Sequence, residues 1–164
     1  MRKLRTLGAA LVLSYFAAAP AMAQYNKPIG EQRLTPGEIE WPNKAGEGSS
    51  MQSGVASLVV AGNVKSPGVY TMMFRIGPNT KIPPHSHPDV RTCFVLSGTW
   101  YFAYGETRDE SQLKALPAGS FYTEPKGRNH FAETRDEPVI AECTGFGPSG
   151  TAFVNPDDDP RKQN

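Results

Sequence analysis

The chain has 164 residues, with 17 basic against 16 acidic side chains, three histidines and two cysteines. That near-neutral balance, with no basic stripe, argues against a nucleic-acid binder, and the length suits one domain with its own core. Glycine (16) and proline (15) recur along the chain, a punctuation that favours many short strands over helices.

Residues 1–23 read as a secretory leader. Met1-Arg2-Lys3-Leu4-Arg5 is a basic start, Leu7 to Ala19 is apolar but short for a bilayer crossing, and Ala21-Met22-Ala23 is a small-x-small cleavage pattern. The expectation is export to a periplasm or the outside, with cleavage between Ala23 and Gln24 and no membrane attachment afterwards. Losing three of the 17 basic residues leaves 14 against 16 acids, a net charge of −2.

Residues 24–54 read as an N-terminal arm and linker. Thr35-Pro36-Gly37-Glu38 fits a helix start, with Thr35 as N-cap, Pro36 at N1 and Glu38 at N3. Ile39 and Trp41 then have the character to dock on the main body, and Gly46 to Gly54 reads as a flexible linker. Strand-like pieces follow at 55–61, 69–76, 81–87, 90–97 and 99–105, separated by Gly, Pro and Asn turns. The polar stretch 106–116 suggests one short helix at 111–116. Further short strands are expected at 119–123, 129–134, 139–143 and 151–154, ahead of an exposed, charged tail at 156–164. Eight or more short strands with one or two short helices make an all-β domain, a sandwich or barrel over residues 55–155.

The chemistry concentrates on the histidines. In a strand, residues two apart face the same way, so His85 and His87 project together behind Pro83-Pro84. Imidazoles on one face can share a metal ion. The third histidine is His130, three residues after Gly127, whose freedom allows a tight turn that aims His130 inward.

These residues fall into two motifs. Gly119, five residues, then Pro125-Lys126-Gly127-Arg128-Asn129-His130 resembles the second motif of the cupins. "PHSHPDVRTCFVLSG", residues 84–98, resembles the first. The resemblance covers residues 77–134 and implies a jelly-roll β-barrel, with His85, His87 and His130 in the three histidine-ligand positions. It also implies a Glu at position 91 or 92, where this chain has Arg91 and Thr92, and a later Asn where it has Thr134. The nearest resemblance is to the three-histidine iron sites of thiol- and diketone-cleaving cupin dioxygenases, some of which use an arginine to bind the substrate carboxylate.

Arg91 changes the electrostatics. If the expected Glu faces the barrel interior, so do Arg91, Cys93 and Val95. A divalent ion on three neutral imidazoles leaves a charge of +2 and Arg91 adds another, so burial requires an anion. Asp89, Glu124, Glu142 or an external carboxylate could supply it. Arg91 as an anion-orienting group and Glu124 as a proton-transfer group are the candidate catalytic residues. Cys93 and Cys143 have three readings: a disulfide, two buried thiols, or a thiol beside the metal.

The expected activity is an oxygen-dependent oxidation or cleavage of a small organic anion. One divalent metal per chain is implied, Fe(II) first, with Mn, Zn, Ni or Cu also compatible with histidine ligands. With zinc or manganese a lyase or hydrolase would follow, and a non-catalytic small-molecule-binding or sensing module is the rival from another class. By analogy with cupins, a homodimer formed through sheet faces or exchanged arms is expected.

Overall fold

A computed structural model describes residues 26–42 and 53–162; the leader and most of the expected linker lie outside the described residues. Eleven strands are found among the described residues: β1 (Asn26–Lys27), β2 (Val55–Asn63), β3 (Gly68–Ile76), β4 (Lys81–Ser86), β5 (Arg91–Ser97), β6 (Thr99–Tyr104), β7 (Lys114–Pro117), β8 (Phe121–Glu124), β9 (His130–Glu133), β10 (Val139–Gly147) and β11 (Ala152–Phe153). They form two antiparallel sheets, a six-stranded one in the order β1-β2-β3-β10-β5-β8 and a five-stranded one in the order β11-β4-β9-β6-β7. This is the expected all-β jelly-roll sandwich.

Period-2 alternation decides which residues enter the core. On β5, Arg91, Cys93 and Val95 are buried while Thr92, Phe94 and Leu96 are exposed. On β10, Val139, Ala141 and Cys143 turn inward. The core between the sheets gathers Val55, Ile76, Val95, Phe102 and Val139. Each such side chain stabilises the fold by roughly 1.5–3 kcal/mol through its removal from water.

Cys143 lies directly opposite Cys93 in the β10–β5 ladder, and the two form a disulfide with Cα atoms 4.2 Å apart. Of the three readings of these cysteines, the disulfide is the one the fold adopts. Both sulfurs are fully buried.

Several expected boundaries move. In place of a helix at 111–116 there is one 3-10 turn, Glu110–Gln112, and then β7. Asp109 closes the turn by accepting from Ser111 N at 3.0 Å, and Leu116 is drawn into pairing opposite Trp100. Strand β10 runs past Cys143 to Gly147, because its pairing with β3 continues to Gly147↔Gly68. The tail is less free than expected. Residues 156–162 form two 3-10 turns with Asp159 buried, and Arg161 Nη2 donates to Thr151 O at 3.1 Å. The arm keeps its capping box, in which Thr35 N donates to the Glu38 carboxylate at 2.7 Å, but the helix is only the 3-10 turn Pro36–Glu38. Trp41 docks as expected, under the guanidinium of Arg75. β1 pairs with the chain's own β2, Asn26 opposite Asn63.

Candidate metal centre

The proline pair on β4 prepares the site. Pro83 and Pro84 have no N–H to give the ladder, and the β4–β9 register shifts between Ile82 and His85. Pairing resumes with His85 directly opposite His130. His87 lies just past the end of β4, in the corner where the chain crosses to the other sheet. The turn before β9 is fastened to that corner. Arg128 N donates to Pro125 O at 2.9 Å, Gly127 takes a positive φ of 68°, and its N–H donates to His87 O at 2.8 Å. The two motifs therefore touch through backbone before their side chains meet.

The three rings converge, with centroids 5.0 Å (His85–His87), 4.3 Å (His85–His130) and 5.2 Å (His87–His130) apart. Each Nδ1 lies against a backbone carbonyl: His85 on Pro83 O at 2.7 Å, His87 on Gly150 O at 2.6 Å, His130 on Arg128 O at 3.1 Å. A carbonyl only accepts, so each Nδ1 carries the proton and each Nε2 presents its lone pair, that of His87 being met by Arg91 Nη1 at 3.1 Å. This is the arrangement that presents imidazole to a metal. The three ligand atoms lie within 4.8 Å of one another and all three residues are buried. His130 Nε2 is fully buried without a hydrogen-bond partner among the described residues.

Burial also holds the rings neutral. It pulls His85 down to about 3, with His130 adding to the effect, and His130 down to about 4. His87 is pushed well below the usual imidazole range by burial, then by the Arg91 guanidinium. Three neutral nitrogen donors facing one point fit a divalent transition metal. A second cluster, Cys93, Glu124 and Cys143, offers no such set, because its sulfurs are joined to each other.

Arg91 and Glu124 face the same space from the six-stranded sheet, where they are direct cross-strand partners. Arg91 Nη1 donates to Glu124 Oε2 at 3.3 Å and to His87 Nε2 at 3.1 Å, and Nη2 donates to Ser149 Oγ at 2.6 Å. Arg91 Nε lies 3.8 Å from Asp89 Oδ2. Asp89 is held in turn by Ser149 Oγ–H at 2.7 Å and Tyr70 O–H at 2.5 Å. Burial pushes the Tyr70 hydroxyl up to about 12, which keeps it a donor. Of the anions considered for Arg91, Asp89 and Glu124 answer it from within the chain. Glu142 turns to the other face of β10, where it accepts from Thr144 Oγ1 at 3.0 Å. Thr134, in place of the expected Asn, bonds Gly77 O and Thr80 N and ties two loops together.

A cavity of about 110 Å3 opens beside the histidines. Phe74, Ile76, Ile82 and Phe102 make much of its wall, and His85, His87, His130, Arg91 and Glu124 form its polar end. Trp100 and Tyr122 also line it. The Trp100 indole N–H is buried without a hydrogen-bond partner among the described residues. Sequence reasoning missed Tyr70, Ser149 and Gly150. Gly147-Pro148-Ser149-Gly150 falls between two expected strands, and no local pattern reports that its last carbonyl meets a histidine 63 residues away.

Two antiparallel sheets closed around a buried triad of histidines, drawn from two separated motifs, define a cupin. The chain belongs to the family of the ChrR cupin-like domain, whose model matches residues 35–149. No curated protein matches the chain in sequence. Among solved structures it is similar to the DMSP lyase DddQ from Ruegeria pomeroyi DSS-3, with TM-score 0.55, 18% identity, and 72% of this chain and 62% of that one covered. It is also similar to the polyketide cyclase RemF from Streptomyces resistomycificus (TM-score 0.58, 15% identity, 82% and 94% covered). A third is the salicylate 1,2-dioxygenase from Pseudaminobacter salicylatoxidans (TM-score 0.53, 12% identity, 66% and 33% covered). The chain thus spans under two thirds of the lyase and a third of the dioxygenase. At these identities the likeness is one of fold.

Proposed function

We propose that this cupin is a metal-dependent oxidoreductase of dioxygenase type acting on a small organic anion. The observation that carries the reading is the convergence of three neutral imidazole lone pairs at the polar end of an apolar cavity. A bound divalent ion would supply Lewis acidity and, as iron(II), the activation of dioxygen. His85, His87 and His130 would hold it.

The charge balance supports an anionic substrate. Asp89 and Glu124 together offset Arg91 and one of the two charges of a divalent ion, so one positive charge is left for a monoanion to neutralise. Arg91, whose Nη atoms are held by Glu124, His87 and Ser149 while its buried Nε lacks a hydrogen-bond partner among the described residues, would orient that anion. The cavity, at about 110 Å3, suits a small body such as a single ring or short branched chain. Its apolar wall would take the carbon part and keep water from the reacting end.

We propose further that the chain is exported, a reading supported by the leader-like residues 1–23 and by the disulfide, which persists in an oxidising compartment. A homodimer paired through sheet faces is supported by the exposed Phe94, Leu96 and Phe121 on the outer face of β5 and β8.

The test combines elemental analysis of the purified chain with oxygen uptake by the iron-loaded protein on a panel of small carboxylates, enols and catechols. One metal per chain and uptake with at least one anion are expected. Metal without turnover would replace this reading with a binding module. Turnover with zinc or manganese and no oxygen consumption would replace it with a lyase or hydrolase; a lyase on a similar fold is the DMSP lyase DddQ.

A further inference from the structure

We infer that Glu124 is the anionic ligand of the centre, so that the carboxylate reaches the histidines from β8 rather than from β5. The inference rests on the metal reading above and deepens it.

The ground is a conflict of lone pairs. Each histidine carries its proton on Nδ1, so none has an Nε2–H to offer. Yet Glu124 Oε2 lies 3.3 Å from His87 Nε2 and Oε1 lies 3.7 Å from His130 Nε2. Two pairs of acceptors face each other in a buried place, where unpaired acceptors are costly. Arg91 Nη1 answers the His87 side, donating to both atoms of that pair at 3.1 and 3.3 Å. On the other side His130 Nε2 has no partner among the described residues. What remains is His130 Nε2 facing Glu124 Oε1 at 3.7 Å, too far for a hydrogen bond between them. A cation among the three imidazoles would take the His130 lone pair, draw in the carboxylate, and displace Arg91 Nη1 from His87 Nε2 while leaving its bond to Glu124 Oε2.

The register explains how the carboxylate changed strands. Position 91 on β5 is one of the two places where the first motif leads one to expect Glu, and Arg91 stands directly opposite Glu124 in the β5–β8 ladder. Moving the acid across one strand spacing, about 4.8 Å, keeps it facing the same interior point. Arg91 then serves as a positioning residue: its guanidinium holds Glu124 toward the imidazoles, while Ser149 and Asp89 hold the guanidinium.

The experiment measures zinc and cobalt affinity by competition with a chromophoric chelator, on the full chain, for wild type, Glu124→Gln, His130→Ala and the exchange Arg91→Glu with Glu124→Arg. Wild type is expected to bind one ion. Glu124→Gln should weaken binding at least tenfold, and the exchange, which returns the acid to β5, should recover most of that loss. If Glu124→Gln binds as tightly as wild type while His130→Ala does not bind, this inference falls and the histidine reading stands. If wild type binds no ion, both fall. An infrared difference spectrum of wild type on zinc addition reads the same question without a substitution. A shifted carboxylate stretch, absent in His130→Ala, supports the inference, and an unshifted one overturns it.

Discussion

His85, His87 and His130 are each fixed by the backbone carbonyl behind them, so their chemistry depends on local chain path as much as on residue type. His85→Ala or His130→Ala should abolish stoichiometric metal uptake, checked by elemental analysis, while leaving the β-sheet circular dichroism in place. A less obvious position is Gly145, opposite Arg91 in the β10–β5 ladder. A Cβ there would stand 2.5 Å from the Tyr70 hydroxyl and 2.7 Å from Asp89 Oδ2, inside the short bond that these two make. Gly145→Ala should therefore cost about 1–3 kcal/mol in a urea titration, the usual cost of overpacking. Adding Tyr70→Phe removes the nearest clashing atom but keeps the ring carbon Cζ at 2.7 Å, so the double variant should be less unstable than the sum of the singles without recovering the whole loss. At this scale the sequence showed the histidines, because their spacing is itself the signal. It could not show Ser149 or Gly150, whose roles exist only through contact.

Strands set what those residues can reach. The Pro83-Pro84 pair breaks the β4 ladder where His85 enters, and the Pro125–Arg128 turn delivers His130 opposite it. The Cys93–Cys143 bond joins β5 to β10 just inside the ring of charged groups. Replacing both cysteines by Ala should lower stability by about 2–5 kcal/mol in chemical denaturation, since the bond closes a long loop in the unfolded chain. The ladder on either side should keep the β-sheet signal of the folded state. Most strands were legible from period-2 alternation and turn residues. The helix expected at 111–116 was not there, because Leu116 gains more from burial opposite Trp100 than a short polar segment gains from one helical turn.

The whole molecule carries an acid sensitivity that follows from neutral buried imidazoles. In the metal-free chain His85, His87 and His130 all have folded pKa values below the ordinary 6.5. Their contribution to stability is therefore full above 6.5, where neither state is protonated. It is lost as pH falls below 6.5, where only the unfolded chain takes up protons. The slope is up to about 1.4 kcal/mol per pH unit for each histidine. A melting-temperature series from pH 7.5 to pH 4.5 should fall accordingly, and His130→Ala should fall less steeply. Metal uptake by the folded chain should instead persist through that range and weaken only near pH 4 and below, where the ligand histidines themselves begin to protonate.

The amino-acid sequence by itself determined an all-β domain with two cupin motifs and three histidines spaced to meet. Those features are written in periods and short spacings, which depend on neighbours along the chain. Only the tertiary structure decided how the buried charges are matched. Arg91 and Glu124 lie 33 residues apart, and the Gly150 carbonyl lies 63 residues from His87. Strand register and loop packing, not sequence proximity, bring such groups together, and they place Arg91 between Asp89 and Glu124.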